Sequence, residues 1–210
     1  MLHEYSNIFR RKRFERFLKL IDTVAGSKGP VRILDVGGRA DYWDGLKPLW
    51  GGRALEITIA NLEPAGESAN GYAHVHADAR SLPQFADGSF DIVHSNSVIE
   101  HVGNWADKAA MAREIRRLAE HHFIQTPNFW FPMEPHFRTL FIHWYPRPLQ
   151  SGMLMRKPRG YHSVRDYDDA MVRIEGIELL TRREMALLFP ESRIERERLG
   201  PLTKSLIAIR

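Results

Sequence analysis

The first part of the chain repeats apolar and charged residues with the period of a helix. In residues 3–25, apolar side chains recur at spacings near three and four, with arginines and lysines elsewhere. These apolar positions are Ile8, Phe9, Phe14, Phe17, Leu18 and Ile21. Gly26 and the Gly29-Pro30 pair stop the pattern. The sequence therefore predicts one amphipathic helix within an N-terminal segment of residues 1–28.

Short apolar runs then alternate with helical patterns. The runs predict strands at residues 31–36, 55–60, 72–76, 91–95 and 122–125. Helical patterns at residues 41–49 and 106–118 separate some of these runs. Strands that alternate with helices indicate an α/β fold with a largely parallel, doubly wound sheet.

The last part of the chain departs from this rhythm. Residues 127–160 contain six prolines, many aromatic residues and several basic ones, which predicts a lid-like or binding insertion after the fifth strand. A helix is expected at residues 182–188, and the strand-like runs at 193–198 and 204–209 flank a Gly200-Pro201 turn. Those two runs predict an antiparallel hairpin that ends the sheet.

Composition narrows the class of protein without choosing a partner. A length of 210 residues suggests a single domain, and the absence of cysteine excludes disulfides and cysteine metal sites. No apolar run approaches a membrane span, so we expect a cytoplasmic protein. Much of the basic excess behind the net charge of +4 lies at residues 10–13, 156–159 and 182–183. Such clusters suit phosphates or an anionic surface, or they form a solvated basic face.

The turn after the first predicted strand carries an acid and two glycines, Asp35, Gly37 and Gly38. Glycines let the backbone approach a ligand closely, and backbone N–H groups before a helix hold carboxylates well. The G-x-G-x-x-G pattern of dinucleotide sites is absent, which argues against a nicotinamide or flavin cofactor. The turn instead suits a ligand with one nucleoside and a zwitterionic tail. Asp35 would either orient the turn or meet an ammonium group.

Polar residues also follow the next three predicted strands. Asn61 or Glu63 stands where a side chain binds ribose hydroxyls in folds of this kind, and the sequence does not decide between them. Asp78 stands where an adenine amino group could donate to it, although an acid there also suits a turn cap. The fourth strand is followed by Asn96, Glu100 and His101.

Four segments together resemble the class I S-adenosylmethionine-dependent methyltransferases of the type-11 group. They are residues 31–38, 61–64, 76–83 and 89–102, with His-Ala-Asp-Ala-Arg-Ser-Leu-Pro at 76–83 and Ile-Glu-His-Val at 99–102. The resemblance implies a Rossmann-like, seven-stranded sheet in the order 3-2-1-4-5-7-6 with an antiparallel strand 7. It also implies S-adenosyl-L-methionine as the cofactor.

Carried over position by position, the resemblance assigns residues to parts of the cofactor. Asp35 and Gly37 would line the methionine end, and Asn96 would lie under the sulfonium. Asn61 and Leu62 would lie near the ribose and adenine, with Asp78 and Ala79 at the adenine. The cofactor-binding residues expected on this basis are Asp35, Gly37, Gly38, Asn61, Leu62, Glu63, Asp78, Ala79, Arg80, Asn96 and His101.

Three positions depart from the pattern of the type-11 group. Its turn usually has three alternating glycines, and here Arg39 and Asp41 stand in place of the second and third. The acid that normally binds the ribose is replaced by Asn61. These departures affect the detailed cofactor contacts more than the resemblance itself.

The insertion supplies candidates for catalysis and acceptor binding. Transfer from a sulfonium needs an acceptor aligned with the methyl group and, for a hydroxyl acceptor, a base that takes its proton. The predicted catalytic residues are His136, His143 and Glu134. The aromatic residues that either stack on an acceptor ring or pack a lid include Trp130, Phe131 and Trp144. We expect no metal, because the two histidines need a third ligand and only Glu134 is near in sequence.

The acceptor is predicted from a less specific pattern. The run Thr-Pro-Asn-x-x-Phe-Pro-x-Glu-Pro-His at residues 126–136 resembles bacterial methyltransferases associated with polysaccharide and glycolipid biosynthesis. This resemblance implies O-methylation of a sugar, a glycan or another small molecule, with lipid- and nucleotide-linked acceptors included. Peripheral membrane contact and the choice between monomer and homodimer stay open.

Two other functions are compatible with the sequence. An RNA methyltransferase would use the basic clusters, but the fourth strand ends Ser-Asn-Ser at residues 95–97 and lacks the Asn/Asp-Pro-Pro-aromatic tetrad of amino-group methylation. Nucleic acid is therefore the less favoured partner. A non-catalytic binding protein with a degenerate cofactor site is suggested by Arg39, Asp41 and Asn61.

Overall fold

The protein contains a seven-stranded sheet in the predicted doubly wound order. The computed structural model describes residues 2–26, 29–62, 71–160 and 163–210, with side chains described from Ile8 onward. The strands are β1 (Val31–Val36), β2 (Leu55–Asn61), β3 (Ala73–His76), β4 (Ile92–Asn96), β5 (His121–Pro127), β6 (Met133–Glu134), β7 (Thr139–Leu140), β8 (Arg193–Leu199) and β9 (Leu202–Ile209). The main sheet runs β3-β2-β1-β4-β5-β9-β8, and β6 pairs with β7 separately. The predicted α/β fold is confirmed.

Helices lie between β1 and β2 and between β4 and β5. The described residues include α1 (Leu2–Val24), α2 (Ala40–Trp50), α3 (Trp105–Leu118), α4 (Arg147–Arg156), α5 (Tyr167–Glu175) and α6 (Arg182–Leu188). Short 3₁₀ helices cover Ile99–His101 and Ile142–Trp144. Within the described ranges, none of the helices has the length and apolar character needed to cross a membrane.

Strand β1 shows why the centre of the sheet forms. All of its residues except Arg32 are buried, which is the pattern of a strand covered on both faces. Ile33 lies opposite Ile57 of β2 and Ile92 of β4, in parallel register with both. The continuous apolar run in the sequence therefore becomes the middle of a parallel sheet, and polar residues are left for its strand ends. Strands β8 and β9 form the antiparallel hairpin that the sequence predicts.

The chain divides into two compact units, and the first comprises residues 1–96 and 114–123. Its core includes the apolar face of α1. Phe14 and Phe17 are fully buried, and their ring centroids lie 5.8 and 6.1 Å from that of Trp43 in edge-on contacts. The Phe17 ring also lies 5.2 Å from that of Phe123. Helix α1 is therefore part of the core of this unit rather than an arm beside it.

The second unit comprises residues 97–113 and 124–210 and has a core of its own. Phe137, Ile142, Leu154 and Ile174 form a buried apolar cluster. Three of these residues come from the segment predicted as an insertion, which folds into the β6–β7 hairpin, a 3₁₀ helix and α4. Helix α5 was not predicted from the sequence. The predicted helix at 182–188 coincides with α6, which begins with a capping box between Thr181 and Glu184.

Candidate functional site

Two hydrogen bonds to its backbone hold the turn after β1, and the turn leaves no room for a side chain at Gly38. The Gly37 N–H donates to the Ala60 carbonyl oxygen at 2.7 Å, and the Asn61 side-chain amide donates to the Gly38 carbonyl oxygen at 2.8 Å. A Cβ atom on Gly38 would lie 1.9 Å from Oδ2 of Asp35, far inside contact distance. Gly38 is therefore required by the close approach of the Asp35 carboxylate.

Asp35 is buried, with a relative accessibility of 1%, and both of its oxygens are engaged. The Trp43 Nε1–H donates to Oδ2 at 2.7 Å, and Nδ1 of His94 lies 2.7 Å from Oδ1. Of the two roles predicted for Asp35, this geometry favours orienting the turn. His94 was missed in the sequence, although a polar residue in the buried strand β4, in register with Asp35, was a usable signal.

A cavity of about 220 Å³ lies beside this turn in the first unit. Its lining includes Asp35, Gly37, Gly38 and Asn96, four of the residues predicted to bind the cofactor. It also includes the unpredicted residues Arg10, Arg39, Asp41, Tyr42 and His94. Helix α1 reaches the same place, because the Arg13 guanidinium donates a hydrogen bond to the Asn96 side-chain oxygen.

The donor set of this cavity fits the amino-acid end of S-adenosylmethionine. Arg10 and Arg39 supply positive charge for a carboxylate, and the Gly37–Gly38 turn presents backbone free of side chains. The volume is below the roughly 300–1,000 Å³ of complete small-molecule pockets, so the cavity suits one part of the cofactor. We expect these residues to hold its methionine moiety.

The residues predicted for the ribose lie at the end of β2 but outside the described lining of this cavity. Asn61 bonds the turn through its amide nitrogen, as described above. The side chain of Leu62 is well exposed, with a relative accessibility of 61%. Glu63 falls outside the described residues. The choice between Asn61 and Glu63 as the ribose ligand therefore stays a prediction.

The acid predicted for the adenine has the turn-capping geometry that the sequence left open. Asp78 accepts hydrogen bonds from the Arg80 backbone N–H at 2.9 Å and from the Arg80 guanidinium at 2.6 Å. These hydrogen bonds lower the pKa of the Asp78 carboxyl against the opposing effect of partial burial. Asp78, Ala79 and Arg80 thus form one compact turn after β3, with its carboxylate ionised at neutral pH.

In the second unit, a carboxylate and two imidazoles form a chain of close contacts. Nδ1 of His136 lies 2.6 Å from Oε1 of Glu134, and Nε2 of His136 lies 3.1 Å from Nε2 of His101. Nδ1 of His101 lies 3.1 Å from the Gly176 carbonyl oxygen. Two predicted catalytic residues, Glu134 and His136, are therefore brought together with His101. We call Glu100, His101, Glu134 and His136 the histidine cluster.

The pKa values of the two imidazoles in the histidine cluster are shifted in opposite directions. Burial and the neighbouring His136 charge lower the pKa of His101. Burial also acts to lower the pKa of His136, but the hydrogen bond and charge of Glu134 outweigh it and leave that pKa raised. Opposite shifts in a touching pair are typical of functional sites.

Two neighbours fix the histidine cluster in place. Glu100 has a relative accessibility of 1%, and its Oε2 accepts a hydrogen bond from the Thr126 hydroxyl at 2.9 Å. Gly160 lies close to the backbone of His136, since a Cβ atom added at Gly160 would lie 1.9 Å from the His136 carbonyl oxygen. With a φ of 67°, position 160 also adopts a conformation that favours glycine.

His143 is not part of the histidine cluster. Its Nε2 lies 2.8 Å from the Phe129 carbonyl oxygen, which also accepts the Trp144 Nε1–H at 2.9 Å. Because a carbonyl oxygen only accepts, Nε2 carries the hydrogen and Nδ1 is the basic nitrogen. The catalytic role of His143 remains a prediction. In the structure, His143 connects the 3₁₀ helix to the β5–β6 connection.

A second cavity, of about 350 Å³, lies in the second unit. Its lining combines hydrogen-bonding side chains with apolar ones, among them Asn104, Glu134, Gln150, Glu178, Phe129 and Ile177. His143 and Arg147 also line it. The volume is that of a small-molecule site, and Glu134 joins the cavity to the histidine cluster.

Comparison with known proteins agrees with the fold. A family model for a methyltransferase domain, of type 11, matches residues 52–122. No curated protein sequence matches the chain. The CMeT domain of the citrinin polyketide synthase is similar in structure, with 15% identity and a TM-score of 0.56 over 88% of this chain and 47% of that one.

Two further solved structures share the fold. A methyltransferase from an antibiotic biosynthesis pathway of Anabaena variabilis has 15% identity and a TM-score of 0.50 over 88% of this chain and 64% of that one. A protein of Rhodobacter sphaeroides, titled as a zinc-dependent alcohol dehydrogenase, has 10% identity and a TM-score of 0.55 over 90% and 86%. The chain thus spans about half to two thirds of the two methyltransferases. At such identities the likeness establishes the fold alone.

The sheet order, the matched domain and the glycine turn with its cavity point to one class. Residues 52–122 match a methyltransferase domain, and this match together with the fold supports an S-adenosylmethionine-dependent methyltransferase with S-adenosyl-L-methionine as its cofactor.

Proposed function

We propose that the protein transfers the methyl group to a hydroxyl oxygen of a sugar or a similar small molecule. The observation that carries this proposal is the histidine cluster beside the cavity of the second unit. A hydroxyl must lose its proton during or after transfer, whereas carbon acceptors of enol type and amines demand less of a base. An imidazole held by a buried carboxylate supports hydroxyl chemistry in particular.

The cavity lining supports a sugar as the acceptor. A sugar ring presents hydroxyl groups at its edge and C–H groups on its faces, and Asn104, Gln150 and Phe129 offer partners for both. Arg147 also lines the cavity and pairs with Glu175 at 2.8 Å. Its guanidinium would suit the phosphate of a lipid- or nucleotide-linked acceptor.

Exposed aromatic residues of the insertion give further support. Trp130 and Trp144 have relative accessibilities of 63% and 40%, and their ring centroids lie 6.3 Å apart. Large exposed aromatic surfaces are unusual unless they meet a ligand or partner. We assign them to the outer part of the acceptor, where aromatic faces stack on sugar rings.

The chemistry divides between cofactor and protein. The cofactor supplies a methyl group already activated by its sulfonium. The residues of this chain align the hydroxyl, exclude water and remove a proton. Glu134 fixes the ring of His136 through Nδ1, which leaves Nε2 on the side of His101 as the nitrogen that can take a proton.

A turnover assay tests the proposal. The full chain is incubated with the cofactor and a panel of sugars and phenols, and product mass is followed. We expect a gain of one methyl group on oxygen, and a loss of roughly 10²–10⁴ in turnover for His136→Gln, the typical contribution of acid–base catalysis. His121→Gln, at the start of β5, is the matched control.

The outcomes separate the competing functions. Methylation of carbon or nitrogen in the panel would contradict O-methylation while keeping the enzyme class. Failure of S-adenosylhomocysteine to bind in calorimetry would contradict catalysis and favour the non-catalytic binding protein.

A further inference from the structure

We propose that Glu100, His101 and His136 bind one divalent transition-metal cation. One ligand atom of each residue lies within 4.8 Å of the others, and Glu134 stands behind His136. From the sequence we expected no metal, because only Glu134 was near His136 and His143 as a third ligand. The fold instead brings Glu100 and His101 to His136, although His101 and His136 lie 35 positions apart.

The hydrogen bonds of the two imidazoles lead to this conclusion. Nδ1 of His101 faces the Gly176 carbonyl oxygen, and Nδ1 of His136 faces the Glu134 carboxylate. Both partners are acceptors, so each Nδ1 carries the hydrogen of a neutral imidazole. When both imidazoles are neutral, the two Nε2 atoms are both acceptors and lie 3.1 Å apart. A shared proton or a shared cation removes the repulsion between them, and titration with metal distinguishes the two.

The spacing suits such a cation. Nitrogens bound to Zn²⁺ at about 2.0–2.1 Å in a tetrahedral site lie about 3.3 Å apart. The observed 3.1 Å between the Nε2 atoms is close to that separation. A pair of nitrogens already at this distance needs little rearrangement to bind.

Each proposed ligand is also held by an outer partner, as metal ligands usually are. Gly176 fixes the ring of His101, Glu134 fixes that of His136, and the Thr126 hydroxyl donates to Glu100. The carboxylate of Glu100 is buried, with a relative accessibility of 1%, and its charge acts on His136. The three contacts together describe a preorganised site.

The ligand types select the kind of metal. Two imidazoles and one carboxylate suit Zn²⁺, Fe²⁺, Co²⁺ or Mn²⁺, whereas Ca²⁺ and Mg²⁺ prefer oxygen ligands throughout. Three protein ligands leave a coordination position open. An acceptor hydroxyl bound there would lose its proton to solvent more easily, and its oxygen would then take the methyl group. With a cation bound, Nε2 of His136 would be a ligand, and the cation would replace the imidazole as the group that promotes loss of the hydroxyl proton. This role rests on the proposed function, but metal binding does not.

Metal titration of the full chain tests the binding step. Protein freed of metal by a chelator is titrated with Zn²⁺ by calorimetry, and with Co²⁺ by visible absorption. We expect one equivalent to bind. Loss of an outer partner typically costs 10–100-fold in affinity, so we expect about that for Glu134→Gln and more than about 100-fold for His101→Gln and His136→Gln. His121→Gln should bind as the unaltered protein does.

Circular dichroism establishes that each variant is folded before its affinity is compared. Absence of stoichiometric binding, or equal affinity in the folded variants His101→Gln and His136→Gln, would overturn the metal site. If Zn²⁺ binds as expected but no hydroxyl in the acceptor panel is methylated, the proposed function fails and the metal site stands. If hydroxyl methylation persists unchanged after chelation, the metal has no part in transfer.

Discussion

Two buried carboxylates play the same part in the two units of this protein. Asp35 in the first unit and Glu134 in the second each hold the Nδ1 atom of an imidazole, at 2.7 and 2.6 Å. Each carboxylate has a relative accessibility of 1%. A buried carboxylate that lacks its donors is costly, so these contacts set the local geometry firmly. They fix the turn beside the first cavity and the ring of His136 beside the second.

Gly38→Ala tests the crowding around Asp35. The added Cβ would lie 1.9 Å from the carboxylate, so the turn must shift, and overpacking of this kind costs about 1–3 kcal/mol. We expect a lower free energy of unfolding in urea and weaker binding of S-adenosylhomocysteine. Gly45→Ala is the control, because a Cβ there meets nothing within 4 Å and alanine favours helix α2. Equal effects at the two positions would contradict this reading of the turn.

At the scale of elements, two arginines of the basic cluster at residues 10–13 contribute to the packing of α1. Arg10 lines the cavity beside the β1 turn, and Arg13 is buried and bonded to Asn96 at the end of β4. Arg11 instead pairs with Glu15 on the surface at 3.3 Å. Two of the four basic residues in this cluster therefore belong to the packing of α1 beside that cavity.

Arg13→Ala tests this anchoring. The change removes the bond between α1 and Asn96, so we expect weaker binding of S-adenosylhomocysteine in calorimetry. The loss should be roughly 10- to 150-fold if one charge-assisted hydrogen bond of about 1.5–3 kcal/mol is lost. Arg11→Ala is matched in charge and lies in the same helix. It should leave the affinity nearly unchanged, because exposed ion pairs contribute about 0–1 kcal/mol. Equal losses in both variants would mean that net charge, not anchoring, sets the affinity.

Elements with a clear period were the ones that the sequence could predict. Strands β1 to β5 and helices α1 and α6 follow from runs of apolar residues and their stop signals. Helix α4 carries Pro148 and Gly152 and has no marked apolar face, so its helical period was hidden. The histidine cluster could not be predicted, since it depends on the pairing of His101 and His136 through the fold. His94 was detectable only once β1 and β4 were placed in register.

At the scale of the whole molecule, several arginines have partners within the protein. Besides the arginines of α1, Arg159 donates to the Met153 carbonyl and to the Thr139 hydroxyl. Arg117 binds Glu114 and Asp87. Arginines held in this way contribute less to an exposed binding face for nucleic acid.

Salt dependence tests this view of the charge. A protein that makes 6–10 phosphate contacts loses roughly 10³–10⁵ in nucleic-acid affinity between about 50 and 200 mM salt. We expect methyl transfer to a small neutral acceptor to show no such loss when its rate is followed over that range. A steep fall in the rate, together with tight RNA binding at low salt, would instead favour an RNA methyltransferase.

The contact between Gly160 and His136 has a consequence for sequence variation. Because the two backbones are in close contact, a side chain at position 160 would displace the His136 carbonyl and, with it, the imidazole of the same residue. Natural sequences that keep a histidine at 136 should therefore keep glycine at 160, 24 positions later in the chain. The φ of 67° at position 160 is a second reason for glycine there, and both reasons lie in the backbone.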